Sequence, residues 1–159
     1  MAPQTSLPPS PRDFWLRWRQ LSGDERRASL TAVFLLPAIG VGLRVFRLPR
    51  ILRWANRPAR MRDDLTDSER IAIVQQLLRA IARASRYGAY RGNCFSRSLA
   101  LIRLLRMRGI ESDLRLGARS VDGQMEAHAW VERHGIVLND APDVAARFRV
   151  FYPVARFKR

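Results

Sequence analysis

The apolar pattern of this chain changes period once, at Gly109, and that change decides the fold class. Before it, Ile71, Val74, Leu77, Leu78 and Ile81 recur at the three-and-four spacing of one helix face. Thr66-Asp67-Ser68-Glu69 ahead of them is a capping box, in which the threonine and glutamate satisfy each other's backbone donors. That helix is predicted to end near Tyr87-Gly88. A second helix opens at Cys94, buries Phe95, Leu101 and Leu105, turns Arg97, Arg103, Arg106 and Arg108 outward and stops at Gly109. After Gly109 the period is two: Leu114, Leu116 and Ala118 share one face of a strand. Asp122-Gly123 reads as a turn. Residues 125–132 and 136–140 are expected to form a hairpin, and residues 147–152 a last strand. Helices first and strands last predict an α+β domain with an antiparallel sheet. No internal repeat is present.

The N-terminal part reads differently. Residues 1–11 hold four prolines and are expected to be a disordered tail. Ser10-Pro11-Arg12-Asp13 is a helix start, and a short helix bearing Phe14, Trp15 and Trp18 is predicted to run to about Leu21. Residues 28–43 carry no charge and are flanked by Arg26, Arg27, Arg44 and Arg47. This stretch is short of the roughly 20 residues that cross a bilayer, and Pro37, Gly40 and Gly42 interrupt it. A buried helix kinked near Pro37 is expected, with a helix in a membrane interface as the alternative. Residues 47–62 read as a basic connector containing Pro49 and Pro58. The organisation expected is a tail (1–11), a helical, basic and apolar extension (12–62) and a domain from 63 to 159.

The charge balance is 29 Lys+Arg against 14 Asp+Glu, a net +15, with a single lysine, Lys158. Such a balance suits an anionic membrane face, an acidic peptide or nucleic acid. No zinc-finger spacing or aromatic-interleaved strand-binding pattern accompanies it, so no specific nucleic-acid partner is expected; peripheral contact with the inner membrane face is. One cysteine excludes an intrachain disulfide and a multi-cysteine zinc site. No metal or cofactor is expected, and a free thiol that must stay reduced favours the cytoplasm.

Three residues carry chemistry: Cys94 at a helix start behind a glycine-containing loop, His128 in Glu126-Ala127-His128-Ala129-Trp130, and Asp140 in Leu138-Asn139-Asp140. A three-residue hairpin loop at 133–135, with Gly135 in the left-handed position, sets Glu132 opposite Ile136, Trp130 opposite Leu138 and His128 opposite Asp140. The last two would then have Cβ atoms about 4.5–5.5 Å apart. A two-residue turn at His134-Gly135 would put them on opposite faces, so the three-residue loop is the expectation. In that arrangement Asp140 orients the imidazole, His128 takes the thiol proton, and the helix N-terminus favours the Cys94 thiolate. The backbone N–H of Cys94 is the candidate oxyanion donor, with Asn93 and Tyr90 as candidates for a second by proximity alone. Each residue also has an ordinary reading. Cys94 would be a small buried hydrophobe, His128 a core histidine, and Asp140 a turn initiator. Trp130 is expected in the core and His134 in solvent.

Asn93-Cys94-Phe95-Ser96-Arg97-Ser98-Leu99-Ala100-Leu101, Arg108-Gly109-Ile110, Glu126-Ala127-His128-Ala129-Trp130-Val131-Glu132 and Val137-Leu138-Asn139-Asp140 together resemble the transglutaminase-like cysteine proteases of lasso-peptide biosynthesis. The resemblance covers about residues 66–152. It implies a transglutaminase-like, papain-like core in which Cys94 matches the nucleophile, His128 the base and Asp140 the orienting acid. It further implies removal of a leader from a ribosomally made precursor peptide before an ATP-dependent cyclase closes the ring, with a threonine near the leader's end as a specificity element. Residues 1–62 resemble the helical N-terminal part of stand-alone members rather than a fused recognition domain, which implies a separate leader-recognition protein. A cysteine endopeptidase is thus the expected function. An acyl transferase with the same triad, and a non-catalytic basic binding module, are the alternatives.

Overall fold

The computed structural model describes residues 18–57 and 62–153. The expected tail and the start of the first predicted helix lie outside them. Among the described residues, four complete helices precede the strands: α1 (Gly23–Val45), α2 (Leu48–Ala55), α3 (Asp67–Tyr87) and α4 (Cys94–Met107). Strands β1 (Asp113–Val121), β2 (Gln124–Arg133) and β3 (Ile136–Val137) follow, then a single-turn helix α5 (Val144–Arg147) and β4 (Arg149–Pro153). The sheet order is β3-β2-β1-β4, with each neighbouring pair antiparallel. The α+β expectation holds.

Local chemistry accounts for the helix ends. Ser22 and Glu25 form a capping box at the start of α1, and Thr66 and Glu69 form the expected one at α3. Asn93 caps α4 by accepting from the Ser96 N–H at 2.9 Å. Gly109, at φ +72°, ends it.

Two elements differ from expectation. The stretch read as a basic connector contains α2. Pro49 lies in the first turn of this helix, where a missing N–H costs nothing, so it starts the helix rather than breaking it. Ile51, Leu52 and Ala55 are buried, while Arg50 and Arg53 are exposed. The apolar N-terminal segment forms a helix of 23 residues that continues through Pro37. It is long and apolar enough to cross a membrane by length and composition, with 33% of its most apolar window buried. Ala28, Ala32, Leu36 and Ile39 face the core, whereas Leu30, Phe34, Val41 and Val45 lie exposed on the other side.

Helix α4 is buried over most of its circumference, with Arg97, Arg103 and Arg106 on its wetter side, as befits a central helix. Leu99, Ala100, Leu101, Ile102 and Leu105 are fully buried between α1, α2 and α3 on one side and β1 and β2 on the other. One core runs from Ala28 through α4 to Leu114 and Val131 of the sheet. A smaller cluster of Trp130, Val144 and Phe148, with Val137 against it, covers the other sheet face. Alternation along β2 therefore sends Val131 toward the helices, and His128 and Trp130 toward the smaller cluster.

Candidate active site

The β2–β3 connection is the tight one. Arg133 pairs with Ile136 and Glu132 with Val137, leaving a two-residue turn at His134 (φ +49°) and Gly135 (φ +79°). Both left-handed residues match a type I′ turn, whose twist suits adjoining strands better than the three-residue loop. The expected facing of Glu132 with Ile136 and of Trp130 with Leu138 is therefore wrong by one residue. In this register a continued strand would set Asp140 opposite Ala129, away from His128.

His128 and Asp140 nevertheless meet, with His128 Nε2 2.5 Å from Asp140 Oδ2. The reason is that β3 stops after two residues. Leu138 donates to the Val131 carbonyl at 2.8 Å, but the reciprocal bond of a regular ladder is replaced. The Val131 N–H instead donates to Asn139 Oδ1 at 2.7 Å. A side chain takes the place of the strand's next carbonyl, the ladder ends, and the backbone is free to swing Asp140 onto the imidazole. The Asn139 amide then donates to Ser98 Oγ at 2.9 Å, and Ser98 donates to the Ala129 carbonyl at 3.0 Å. Ser98 is fully buried and lies one turn along α4 from Cys94, so this relay ties the cysteine's helix to the strand that carries His128.

Where β3 has ended, the edge of β2 is open, and the N-terminus of α4 reaches it. A cleft of about 270 Å³ there is lined by Cys94, His128, Asp140, Asn139 and Arg97, with Leu78 and Ile81 of α3 as its apolar wall. Cys94 is a half-buried free thiol. The three residues singled out in the sequence thus line one cleft. Tyr90 packs its ring against Gly40 of α1, and Asn93 Oδ1 accepts the Ser96 N–H in the helix cap.

The imidazole packs against two aromatic rings. Phe148 stacks on it with ring centroids 5.0 Å apart, and the Trp130 ring lies 6.2 Å away, beside Phe148. Gly117, the cross-strand partner of His128, leaves room for these rings. Trp130 is fully buried, and its indole donates to Glu132 Oε1 at 2.7 Å. Glu132 also accepts from Arg115 Nε at 2.9 Å, so this carboxylate is paired. His134 is exposed, as expected.

Asp140 titrates below the ordinary carboxylate range. Burial pushes its carboxyl up, but the hydrogen bonds from His128 and the Ala141 N–H, with the charges of His128 and Arg147, outweigh burial. The Ala141 N–H donates to Oδ1 at 2.8 Å, and Arg147 Nη2 lies 3.5 Å from the same oxygen. An ionised carboxylate at Asp140 is what orients and stabilises an imidazolium. Among the described residues no group of three or more His, Cys, Asp or Glu is placed to hold a metal ion.

Sequence reasoning missed Asn139, Ser98, Phe148 and Arg147. Ser98 had a signal: it is a polar residue four positions from Cys94, on the same helix face. Asn139 and Phe148 had none that their neighbours in sequence reveal.

Comparison with known proteins agrees with this architecture. A family model described as the transglutaminase-like superfamily matches residues 35–152. The chain belongs to the transglutaminase-like superfamily. Members of that superfamily are generally cysteine-dependent enzymes. Among curated proteins, the chain is similar to the microcin J25-processing protein McjB of Escherichia coli, 36% identical over 61 residues. That stretch is 38% of this chain and 28% of the relative, so just over a quarter of McjB's length is matched. No solved structure matches the chain.

Proposed function

We propose that this protein is a cysteine endopeptidase that removes the leader from a ribosomally made precursor during lasso-peptide biosynthesis. The observation that carries the reading is the convergence of Cys94, a His128–Asp140 pair and a helix N-terminus on one cleft. Similarity to a microcin-processing protein supports the substrate class.

In this reading His128 accepts the Cys94 proton, and the thiolate attacks the carbonyl at the leader–core junction. Asp140 holds the imidazole in place and balances the imidazolium. The N–H groups of the first turn of α4 have no intrahelical acceptor. Ser96 gives its own to Asn93 Oδ1, and this reading assigns that of Cys94 to the oxyanion. The tetrahedral adduct collapses by breaking the C–N bond, with the leaving amine taking its proton from His128. Water then attacks the thioester, gives a proton back to His128, and releases the carboxylate and the free thiol.

The partners in this reading are the precursor peptide, a separate leader-recognition protein and the ATP-dependent cyclase that uses the product. A reactive thiol suits a reducing, cytoplasmic setting. The test is mass spectrometry of a precursor encoded beside this gene, incubated with the recognition protein and either wild type or Cys94→Ala. One cut, with products summing to precursor plus water and absent from the mutant, is expected. Loss of ammonia with an intact chain would instead indicate transfer to an amine. Intact peptide with both proteins would overturn the peptidase reading.

A further inference from the structure

A second groove lies beside the cleft at Cys94. It has a volume of about 840 Å³ and runs between α3 and the β2–β3 hairpin. Leu78 lines both, so the two meet at that side chain. One wall of the groove is a single face of α3 bearing Ile71, Val74 and Leu78; the other is Ile136, Val137 and Leu138. Beyond Leu78 the same two walls continue as Ile81 and Ala82 on the helix, and as Asn139 and Asp140 on the chain leaving β3. The hairpin tip and the cleft at Cys94 thus lie along one face of α3 and one stretch of chain through β3, with Leu78 between them.

Two features of the groove are anomalous for ordinary surface. Ile71 is 58% exposed and Ile136 68% exposed, facing each other across it. Ile136 lies on β3, an edge strand, where soluble proteins usually place charge or proline to discourage pairing. Arg133 lines the hairpin end of the groove, and its buried Nε has no hydrogen-bond partner among the described residues. Arg70, across the groove, is already engaged by Asp67 and by the Arg62 carbonyl. The groove therefore pairs an apolar wall with one unengaged guanidinium donor.

Length converts this into a ligand. From Ile71 to Ala82 the helical wall is about 17 Å long at 1.5 Å per residue. An extended chain covers that distance in about five residues.

We infer that the groove binds the substrate peptide on one side of the scissile bond, as an extended segment of about five residues. Its apolar side chains lie between Ile71 and Ile136, and an acidic residue at its far end meets Arg133. The inference rests on the peptidase reading and adds a sequence requirement to it: apolar residues about three or four positions from the junction, followed by a carboxylate about four or five positions from it. An edge strand that lends its backbone to an added peptide strand is a recurring way to hold a peptide.

Two measurements separate this from the peptidase reading. The first uses the Cys94→Ala protein and a positional-scanning library of labelled synthetic decapeptides, read as fluorescence anisotropy. Selection for apolar residues followed by an acidic residue is expected. Loss of that selection in Cys94→Ala carrying Ile71→Asp and Ile136→Asp is expected too. The second uses the precursor that wild type cleaves. Ile136→Asp is expected to raise KM about tenfold with kcat unchanged, since roughly one apolar side chain's burial is lost. Arg133→Glu is expected to do the same and to be rescued by a precursor in which the acidic residue is replaced by lysine. Both isoleucines are largely exposed, so the variants should unfold at the wild-type temperature, which is checked directly. No positional selection, or an unchanged KM in Ile136→Asp beside active wild type, overturns the groove assignment and leaves the peptidase reading standing. Cleavage by neither protein, with selection still seen in the library, overturns the peptidase reading alone.

Discussion

Asn139→Ala tests whether one amide side chain decides where Asp140 goes. The Val131 N–H is buried and donates only to Asn139 Oδ1 in the irregular end of the ladder. Removing its acceptor leaves an orphaned buried donor, at a cost of about 1–3 kcal/mol. The bond from Asn139 to Ser98 contributes about 1 kcal/mol more. If the backbone does not adjust, the variant is therefore destabilised by about 2–4 kcal/mol. The chain has one way to recover: Leu138 can offer its carbonyl to Val131, as a regular antiparallel pair does. That repair extends β3 in the observed register and carries Asp140 opposite Ala129, off the face of His128. Either branch damages the site, the first through stability and the second through geometry. A misplaced orienting group is expected to lower kcat about a hundredfold. The assays are urea unfolding followed by tryptophan fluorescence, and kcat on the cleaved precursor. Asn139→Asp keeps the acceptor for Val131 and loses the donor to Ser98, so it should fall between. Ser98→Ala should cost about 1–2 kcal/mol and move kcat less than Asn139→Ala. A variant Asn139→Ala within 0.5 kcal/mol of wild type (roughly the noise of a surface substitution), with kcat within about twofold, would refute the reasoning.

Three further predictions follow from individual contacts. Asp140 has a depressed folded-state pKa, so its ionised form contributes stability above the unfolded carboxylate value of about 3.9 that is lost as pH falls through the folded value. Wild type should therefore lose stability below about pH 4 faster than Asp140→Asn, which chemical denaturation across pH 2–6 would read as converging curves. At Gly117 an added Cβ would lie 2.8 Å from Phe148 Cβ and 3.0 Å from the Trp130 ring. Gly117→Ala should thus cost about 1–3 kcal/mol and disturb the stacking on His128, visible as a shifted imidazole resonance. Gly135 has open space around its missing Cβ but a φ of +79°, so Gly135→Ala should cost about 1 kcal/mol from backbone strain alone, read as a lowered melting temperature with kcat preserved.

Much of this architecture was legible because it depends on short-range pattern. The α3 capping box, the glycine stop at the end of α4 and the Asp122-Gly123 turn are each set by a handful of neighbouring residues. A lone cysteine at a helix start and a histidine on an alternating strand are likewise visible in sequence, and the structure brings Cys94, His128 and Asp140 to one cleft. The mistakes arose where two local rules compete. Pro49 reads equally well as a breaker and as a first-turn residue, and only burial of Ile51 and Leu52 against the core selects the helix. At His134-Gly135 two turn lengths were open, and the chosen one contradicts the argument that had linked His128 to Asp140 through the sheet.

The pairing of those two residues came out right for a reason outside the sequence argument. Regular register would have separated them, and the contact exists because the strand ends early. What ends it is a side chain whose partners lie 8 and 41 positions away, Val131 and Ser98. The sequence by itself determined the order of helices and strands and singled out the three candidate residues, because each follows from periodicity or from a few adjacent residues. The joining of those residues in one cleft, the groove beside it along α3, and the irregular exit of β3 were decided by tertiary structure. Each depends on hydrogen bonds and packing between segments far apart in the chain, and such contacts leave no periodic trace in it.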